Sequence, residues 1–153
     1  MIALIQRVSA GSVRIEGEAV GAIDGGVLAL IGMVRGDDRS RADRLLQRML
    51  DYRVFPDAAD RMNLSLRQTG GGLLLVPQFT LAADTGRGNR ASFTPAADPA
   101  DAAALFSYLV EQARVLHTPV ASGQFGANMQ VSLINDGPVT FWLQTQGAGL
   151  TER

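Results

Sequence analysis

The almost wholly apolar run Val27–Val34 constrains the fold of this chain more than any other stretch. A strand with apolar side chains on both sides of the backbone has to be covered on both faces. A second strand of this kind is predicted over Leu73–Val76. The chain therefore needs one layer above and another layer below these central strands.

Two stretches have apolar residues at helical spacing. The first is predicted over residues 40–52, where Ser40 and Asp43 form a variant of the capping box. The second begins at Asp98-Pro99, an N-cap aspartate followed by proline at the first helical position, and is expected to end near His117. Two helices can cover only one face of a large sheet.

The other segments are mostly strands and turns. Further strands are predicted over residues 2–8, 12–15, 19–23, 54–56, 62–66, 120–122, 128–134 and 139–145, with a flexible turn over 68–72 and a frayed tail over 147–153. The chain shows no internal repeat and no linker. We therefore predict one layered α/β/β domain over residues 1–153, with mixed sheets of about seven or eight strands and two main helices.

The residue types that are missing limit the chemistry. The chain has no cysteine and no lysine, and His117 is its single histidine. Disulfides, thiolate nucleophiles, Schiff-base lysines and sites with several histidine ligands are excluded. We expect no metal and no cofactor. The chemistry must come from carboxylates, hydroxyls, amides, backbone groups or the substrate.

The charge is balanced overall but uneven along the chain. The net charge is −1, while eight of the 14 arginines fall between Arg35 and Arg67, mixed with six aspartates. A salt-bridged helix face and a patch that meets phosphate are both compatible with this segment. No apolar run reaches the length of a membrane helix, and Met1–Arg7 does not resemble a signal peptide, so a cytoplasmic protein is expected.

Polar groups at the end of a buried strand are the best local candidates for a site. If the chain stays extended after Leu73–Val76, Gln78 and Thr80 point to one side and Phe79 to the other. The pair would suit a nucleophile and an oxyanion donor, or two surface residues that satisfy loop backbone. No base lies near Thr80 in the sequence.

The stretch Asn135–Thr140 is predicted to be a turn between two strands. Its Gly137-Pro138 bond is one of the few peptide bonds with ready access to the cis form. Asp136 is compatible with a general base or with an ordinary turn residue. His117, at a helix end, is typical of a surface or capping residue.

Several motifs together resemble the D-aminoacyl-tRNA deacylases. They are Met1–Val8 (MIALIQRV), residues 78–85 (QFTLAADT), residues 125–134 (FGANMQVSLI) and Asn135–Gln144 (NDGPVTFWLQ). The resemblance implies a hydrolase that cleaves the ester between a D-amino acid, or glycine, and the 3′-terminal adenosine of tRNA. It also implies an α/β/β homodimer that acts on aminoacyl-tRNA and rejects the L-aminoacyl ester.

The same resemblance assigns roles to individual residues. It implies that Gly137-Pro138 is cis and enters the partner subunit's pocket, where its carbonyls exclude L side chains by clash. Arg7 corresponds to an arginine that holds this turn across the interface. Catalytic roles fall to Gln78 and Thr80, and substrate binding to Phe79, Phe125 and Met129, together with Gly137 and Pro138.

One position departs from the family pattern. The family motif usually begins with serine, whereas this chain has Pro77. We infer that the position supports backbone placement. This agrees with what the resemblance implies, namely that the 2′-OH of the tRNA assists attack on the ester. Two alternatives stay open: a Thr80-dependent hydrolase of small esters or amides, and an inactive module that binds the tRNA end.

Overall fold

The computed structural model describes residues 1–146, so the predicted frayed tail, Gly147–Arg153, lies outside the described residues. The strands are β1 (Ile2–Ile15), β2 (Glu18–Ile23), β3 (Gly26–Gly32), β4 (Arg53–Pro56), β5 (Met62–Ser65), β6 (Gly72–Pro77), β7 (Val120–Ser122) and β8 (Gln130–Gln144). The helices are α1 (Arg39–Asp51), α2 (Leu66–Thr69) and α3 (Pro99–Leu116). No helix within residues 1–146 is both long and apolar enough to cross a membrane.

One mixed sheet organises the molecule, and β1 lies at its centre. One edge of β1 pairs with β3 and then with β2, and its other edge pairs with β8, all antiparallel. Strands β3 and β6 run parallel, as do β6 and β7, while β4 and β5 form a separate two-stranded sheet. The sequence predicted the eight strand regions and two main helices well, but it missed the four-residue helix α2.

Alternate residues of the central strands enter two different cores. Ala29 and Leu75 lie in the core that contains the buried faces of α1 and α3. Leu28 and Leu74 point the other way and pack with Val13 of β1 and with β2. Because β3 and β6 are covered by helices on one face and by strands on the other, the fold is the predicted α/β/β arrangement.

Two of the predicted strand breaks do not exist. The segments 2–8 and 12–15 belong to the single strand β1, and the segments on both sides of Asn135–Thr140 belong to the single strand β8. The prediction of a turn between two strands was therefore wrong. Both halves of β8 pair with the same neighbour, β1, and local irregularities in the register take up the extra residues.

Helix α1 begins at a different residue from the one predicted. Its N-cap is Asp38, whose carboxylate accepts a hydrogen bond from the Arg41 backbone N–H at 2.9 Å. Ser40 already lies inside the helix, so the predicted capping box was wrong. The true capping box is at Ser65 and Gln68, where it starts α2 across the end of the predicted strand 62–66 and the beginning of the predicted flexible turn 68–72.

The two candidate caps of α1 give a direct test. Asp38→Ala removes the acceptor for the Arg41 N–H, and we expect a loss of about 1 kcal/mol in the free energy of unfolding. Ser40→Ala, the matched control, should leave the free energy unchanged or raise it slightly, since alanine favours helix interiors. Urea denaturation at one protein concentration measures both. Equal losses in the two variants would contradict the assignment of the cap.

Candidate active site

A pocket of about 420 Å³ lies where β6 ends at Pro77. Val76 and Pro77 form one side of it, and a loop between β7 and β8 forms another. The residues that line it are Met33, Val76, Pro77, Gln78, Phe79, Ala96, Ala97, Pro99, Ala102, Phe125, Gly126, Ala127, Asn128, Met129 and Val131. None of these side chains is ionisable, so the pocket offers amides, sulfur, aromatic rings and backbone groups.

A larger hollow of about 520 Å³ lies beside this pocket and shares Ala97 with it. Its lining is charged and carries both signs, with four carboxylates and two guanidinium groups, those of Asp37, Asp38, Asp98, Asp101, Arg35 and Arg39. The pocket at Pro77 is the better candidate because the residues predicted from the sequence meet there.

The segment after Pro77 does not stay extended. The Gln78 N–H donates to the Ile31 carbonyl at 2.7 Å, and the chain then turns into a 3₁₀ helix over Phe79–Ala82. The predicted alternation of Gln78 and Thr80 about Phe79 was therefore wrong. The two polar side chains nevertheless meet, because the Gln78 Nε2–H donates to Thr80 Oγ1.

The 3₁₀ helix leaves two backbone donors at its start. The Leu81 and Ala83 N–H groups bond to the carbonyls of Gln78 and Thr80. Among the residues that the structure describes, no backbone acceptor pairs with the N–H groups of Phe79 and Thr80, as expected for the first turn of a helix. Two adjacent N–H groups beside a pocket are a suitable arrangement for an oxyanion.

Phe125 and Met129 reach the pocket from a tight loop. Gly126 adopts a left-handed conformation (φ 79°), and the Ala127 N–H bonds to the Gln124 carbonyl at 3.3 Å. The Gln124 N–H approaches the Met129 sulfur at 3.4 Å, which fixes the thioether. Gln78, Phe79, Phe125 and Met129 thus line one pocket, whereas Thr80 is exposed and is not among its lining residues.

The segment Asp136–Val139 is a long bulge in β8. These four residues lie opposite a single residue of β1, Arg7. The Gly137-Pro138 bond is cis, as the resemblance implied. The Asn135 side chain holds the base of the bulge: its Oδ1 accepts from the Val139 N–H at 2.7 Å, and its Nδ2 donates to Thr140 Oγ1 at 2.9 Å.

Arg7 supports the bulge from the neighbouring strand. Its Nε donates to the Asp136 carbonyl at 2.8 Å, and its Nη1 donates to the Val54 carbonyl at 2.6 Å. The Asp136 carboxylate is 3.8 Å from Arg7 Nε and is largely exposed. Arg7 therefore fixes the backbone that leads into Gly137.

The bulge lies away from the pocket of its own chain. Arg7 pairs with Val27 at the beginning of β3, whereas Pro77 pairs with Ile31 near its end. This difference of four residues corresponds to about 13 Å along the sheet. Gly137 and Pro138 do not line the pocket at Pro77.

The remaining candidates from the sequence have structural roles. His117 Nε2 is 2.6 Å from the Gly71 carbonyl at the opposite end of β6. In the arginine-rich segment, Arg41 pairs with Asp37 at 3.2 Å and Arg67 with Asp51 at 2.8 Å, which agrees with a salt-bridged face. Within residues 1–146, no group of three acidic or histidine side chains is placed to hold a metal ion.

Sequence reasoning missed two residues around the site. Asn135 was treated only as a turn former, although its position four residues before Val139 lets its side chain close the bulge. Phe93 was not considered, yet its ring packs against that of Phe79. Only the fold brings Phe93 to Phe79, since 13 residues separate the two along the chain.

Comparison with known proteins defines the family. The family model for D-Tyr-tRNA(Tyr) deacylase matches residues 4–144. The D-aminoacyl-tRNA deacylase of Thioalkalivibrio sulfidiphilus is 67% identical over 144 residues, covering 94% of this chain and 97% of that protein. The D-aminoacyl-tRNA deacylase of Janthinobacterium sp. is 61% identical over 146 residues, covering 95% and 98%.

Solved structures agree with this fold. A c-Myc DNA unwinding element binding protein superposes with a TM-score of 0.91 at 33% identity, covering 96% of this chain and all of that one. A probable eukaryotic D-amino acid tRNA deacylase superposes with a TM-score of 0.81 at 16% identity, which supports the fold alone. By the family model and the identities to its relatives, this chain belongs to the D-Tyr-tRNA(Tyr) deacylase family.

Proposed function

We propose that this protein hydrolyses the ester between a D-amino acid, or glycine, and the 3′-terminal adenosine of tRNA, and that it rejects L-aminoacyl-tRNA. The observation that carries the proposal is the pocket at Pro77, which Gln78 and Phe79 of one family motif and Phe125–Met129 of another line together. We place the reaction in the cytoplasm, with residues 1–153 acting as one domain.

The proposed reaction adds water across the ester. A water oxygen attacks the carbonyl carbon, the bond from carbon to the ribose 3′ oxygen breaks, and that oxygen takes a proton. In this proposal the N–H groups of Phe79 and Thr80 stabilise the negative charge on the carbonyl oxygen during attack. Because the lining has no ionisable side chain, the 2′-OH of the terminal ribose is the group proposed to assist the attack.

In this proposal Gln78 and Thr80 position the reacting groups. The hydrogen bond from Gln78 Nε2 to Thr80 Oγ1 fixes both side chains at the start of the 3₁₀ helix. A nucleophilic threonine would need a base within hydrogen-bonding distance, and among the described residues Thr80 Oγ1 has Gln78 as its partner. These contacts favour tRNA deacylation over a Thr80-dependent hydrolase of small esters.

The chiral selector is proposed to come from a second copy of the chain. Gly137-Pro138 lies about 13 Å along the sheet from its own pocket, so it would act in a partner's pocket. Strand β8 is an edge strand in the described structure, and it exposes Ile134 by 62% and Trp142 by 50%. Apolar side chains on an open edge favour a homodimer built on this strand.

The main test compares the two enantiomers. The purified protein should release D-tyrosine from D-Tyr-tRNA and leave L-Tyr-tRNA intact, as measured by the fraction of labelled tRNA that remains charged. Equal release of tyrosine from D-Tyr-tRNA and L-Tyr-tRNA would refute the proposal. Release from neither, with tRNA binding retained, would instead identify an inactive tRNA-end binding module.

The role of Thr80 can be separated from that of a nucleophile. We expect Thr80→Val to lower kcat/KM for D-Tyr-tRNA by about tenfold, because an oriented partner of Gln78 is lost while water and the 2′-OH remain. No covalent intermediate should accumulate in a rapid-quench experiment with the wild type. Complete loss of turnover, together with a trapped acyl-threonine, would establish the alternative hydrolase.

The partner's role can be tested by complementation. Gly137→Ala places a Cβ at 2.7 Å from Val139 Cγ2 in a backbone with φ of 148°, and it should lower kcat/KM by about 100-fold. Ala127→Trp fills the pocket of the same chain. If the selector acts across a two-fold interface, co-refolding equal amounts of the two variants should restore about a quarter of the wild-type activity.

The complementation has its own controls. Each variant refolded alone should stay inactive, and circular dichroism should show that both are folded. The selector would be shown to act within one chain if the mixture stayed as inactive as its parts while sedimentation showed mixed dimers.

A further inference from the structure

The pocket at Pro77 carries an exposed aromatic pair on its rim. The rings of Phe79 and Phe93 lie 5.0 Å apart, centroid to centroid, at an angle of 49°. Phe79 is 53% exposed and Phe93 is 45% exposed. Two large apolar rings that pack on each other in solvent bury only part of their surface, so a further flat apolar surface would be stabilised by contact with them.

The backbone around Phe93 holds this ring in place. Ser92 and Asp84 exchange two backbone hydrogen bonds, at 2.8 and 2.9 Å, which close the loop before Phe93. The Ala96 N–H then bonds to the Phe93 carbonyl at 3.0 Å, and Ala96 itself lines the pocket. The aromatic pair is thus continuous with the pocket and is supported on both sides.

The loop that the Asp84–Ser92 pairing closes is basic. It contains Arg87 and Arg90, and neither makes a hydrogen bond or an ion pair with any other residue in the described part of the chain. The carboxylate of Asp84 is occupied by the Gly86 N–H at 2.9 Å. Two free guanidinium groups on the loop that leads into Phe93, together with the two exposed rings, suit a ligand with a flat base and a phosphate.

We propose that the Phe79–Phe93 pair stacks the base of the nucleotide that precedes the terminal adenosine of tRNA, with Arg87 and Arg90 near its phosphate. This inference rests on the proposed function, since it places the terminal aminoacyl-adenosine in the pocket. The base of the preceding nucleotide is then the first one outside the pocket, and it lies at the rim. Phe93 is accordingly a substrate-binding residue that acts on affinity and not on the chemical step.

Three ester substrates test whether the base before the terminal adenosine contributes to binding. The substrates are D-Tyr-adenosine, the D-Tyr ester of the dinucleotide cytidylyl-adenosine, and D-Tyr-tRNA. For Phe93→Leu we expect kcat/KM to fall about tenfold on the dinucleotide ester and on the tRNA, through KM, because stacking on one aromatic ring is lost. On the adenosine ester the loss should stay under about twofold, because that substrate has no base to stack there.

Two further variants act as controls. Phe93→Tyr keeps an aromatic ring and should retain near wild-type values on all three substrates. Val115→Ala changes an exposed apolar residue at the far end of α3, which is 76% exposed, and should change none of them. Equal losses on the adenosine and dinucleotide esters in Phe93→Leu, or no loss on the tRNA, would overturn the proposal.

A binding measurement separates this inference from the proposed function. Titration of the wild type and of Phe93→Leu with the uncharged trinucleotide CCA, followed by NMR of the phenylalanine rings, does not require hydrolysis. Weaker binding by Phe93→Leu supports stacking even if no ester is cleaved. If Phe93→Leu instead weakens the dimer in sedimentation and leaves CCA affinity unchanged, the pair is a subunit contact and the inference fails.

Discussion

The pairing of β1 with β8 is the interaction on which the rest of the structure depends. Strand β8 follows β1 from Gln130 to Gln144, so the bulge at Asp136–Val139 has a firm ladder on both sides. The bulge places four residues opposite Arg7, three more than a regular ladder, without a change of sheet. Since Val139 is buried in the helix-side core, one end of the bulge is anchored by packing as well as by hydrogen bonds.

The candidate site is made mainly from backbone groups that the fold holds in place. The strand ladder of β3 and β6 ends with the hydrogen bond from Gln78 to Ile31. The 3₁₀ helix that follows leaves the N–H groups of Phe79, which lines the pocket, and of the adjacent Thr80 without a backbone acceptor among the described residues. Backbone donors held by a ladder cost little reorganisation when charge develops on a substrate. This explains how a chain without cysteine, without lysine and with one histidine far from the pocket is suited to ester hydrolysis.

The sequence predicted what depends on local pattern. The apolar runs at Val27–Val34 and Leu73–Val76 indicated strands buried on both faces, and Asp98-Pro99 indicated the start of α3. The prediction from sequence failed where contacts between residues far apart in the chain determine the local structure. Both halves of β8 belong to one strand because both pair with β1. The 3₁₀ helix at Phe79 depends on the residue at which the pairing of β6 with β3 ends. Phe93 reaches the pocket only through its contact with Phe79, which no local pattern reveals.

Pro77 shows how the fold tolerates a residue that departs from the family motif. It is the last residue of β6, and the neighbouring ladder bonds are made by other groups: Ile31 accepts from Gln78, and Leu75 accepts from the Gly123 N–H. Strand β7 ends at Ser122, opposite Leu75, and the last bond observed on that side is the one that Leu75 accepts from the Gly123 N–H. Proline is tolerated at such a strand end, where its missing N–H affects at most the last bond of the ladder. The ring of Pro77 then lines the pocket, which keeps the wall apolar where a serine would add a hydroxyl.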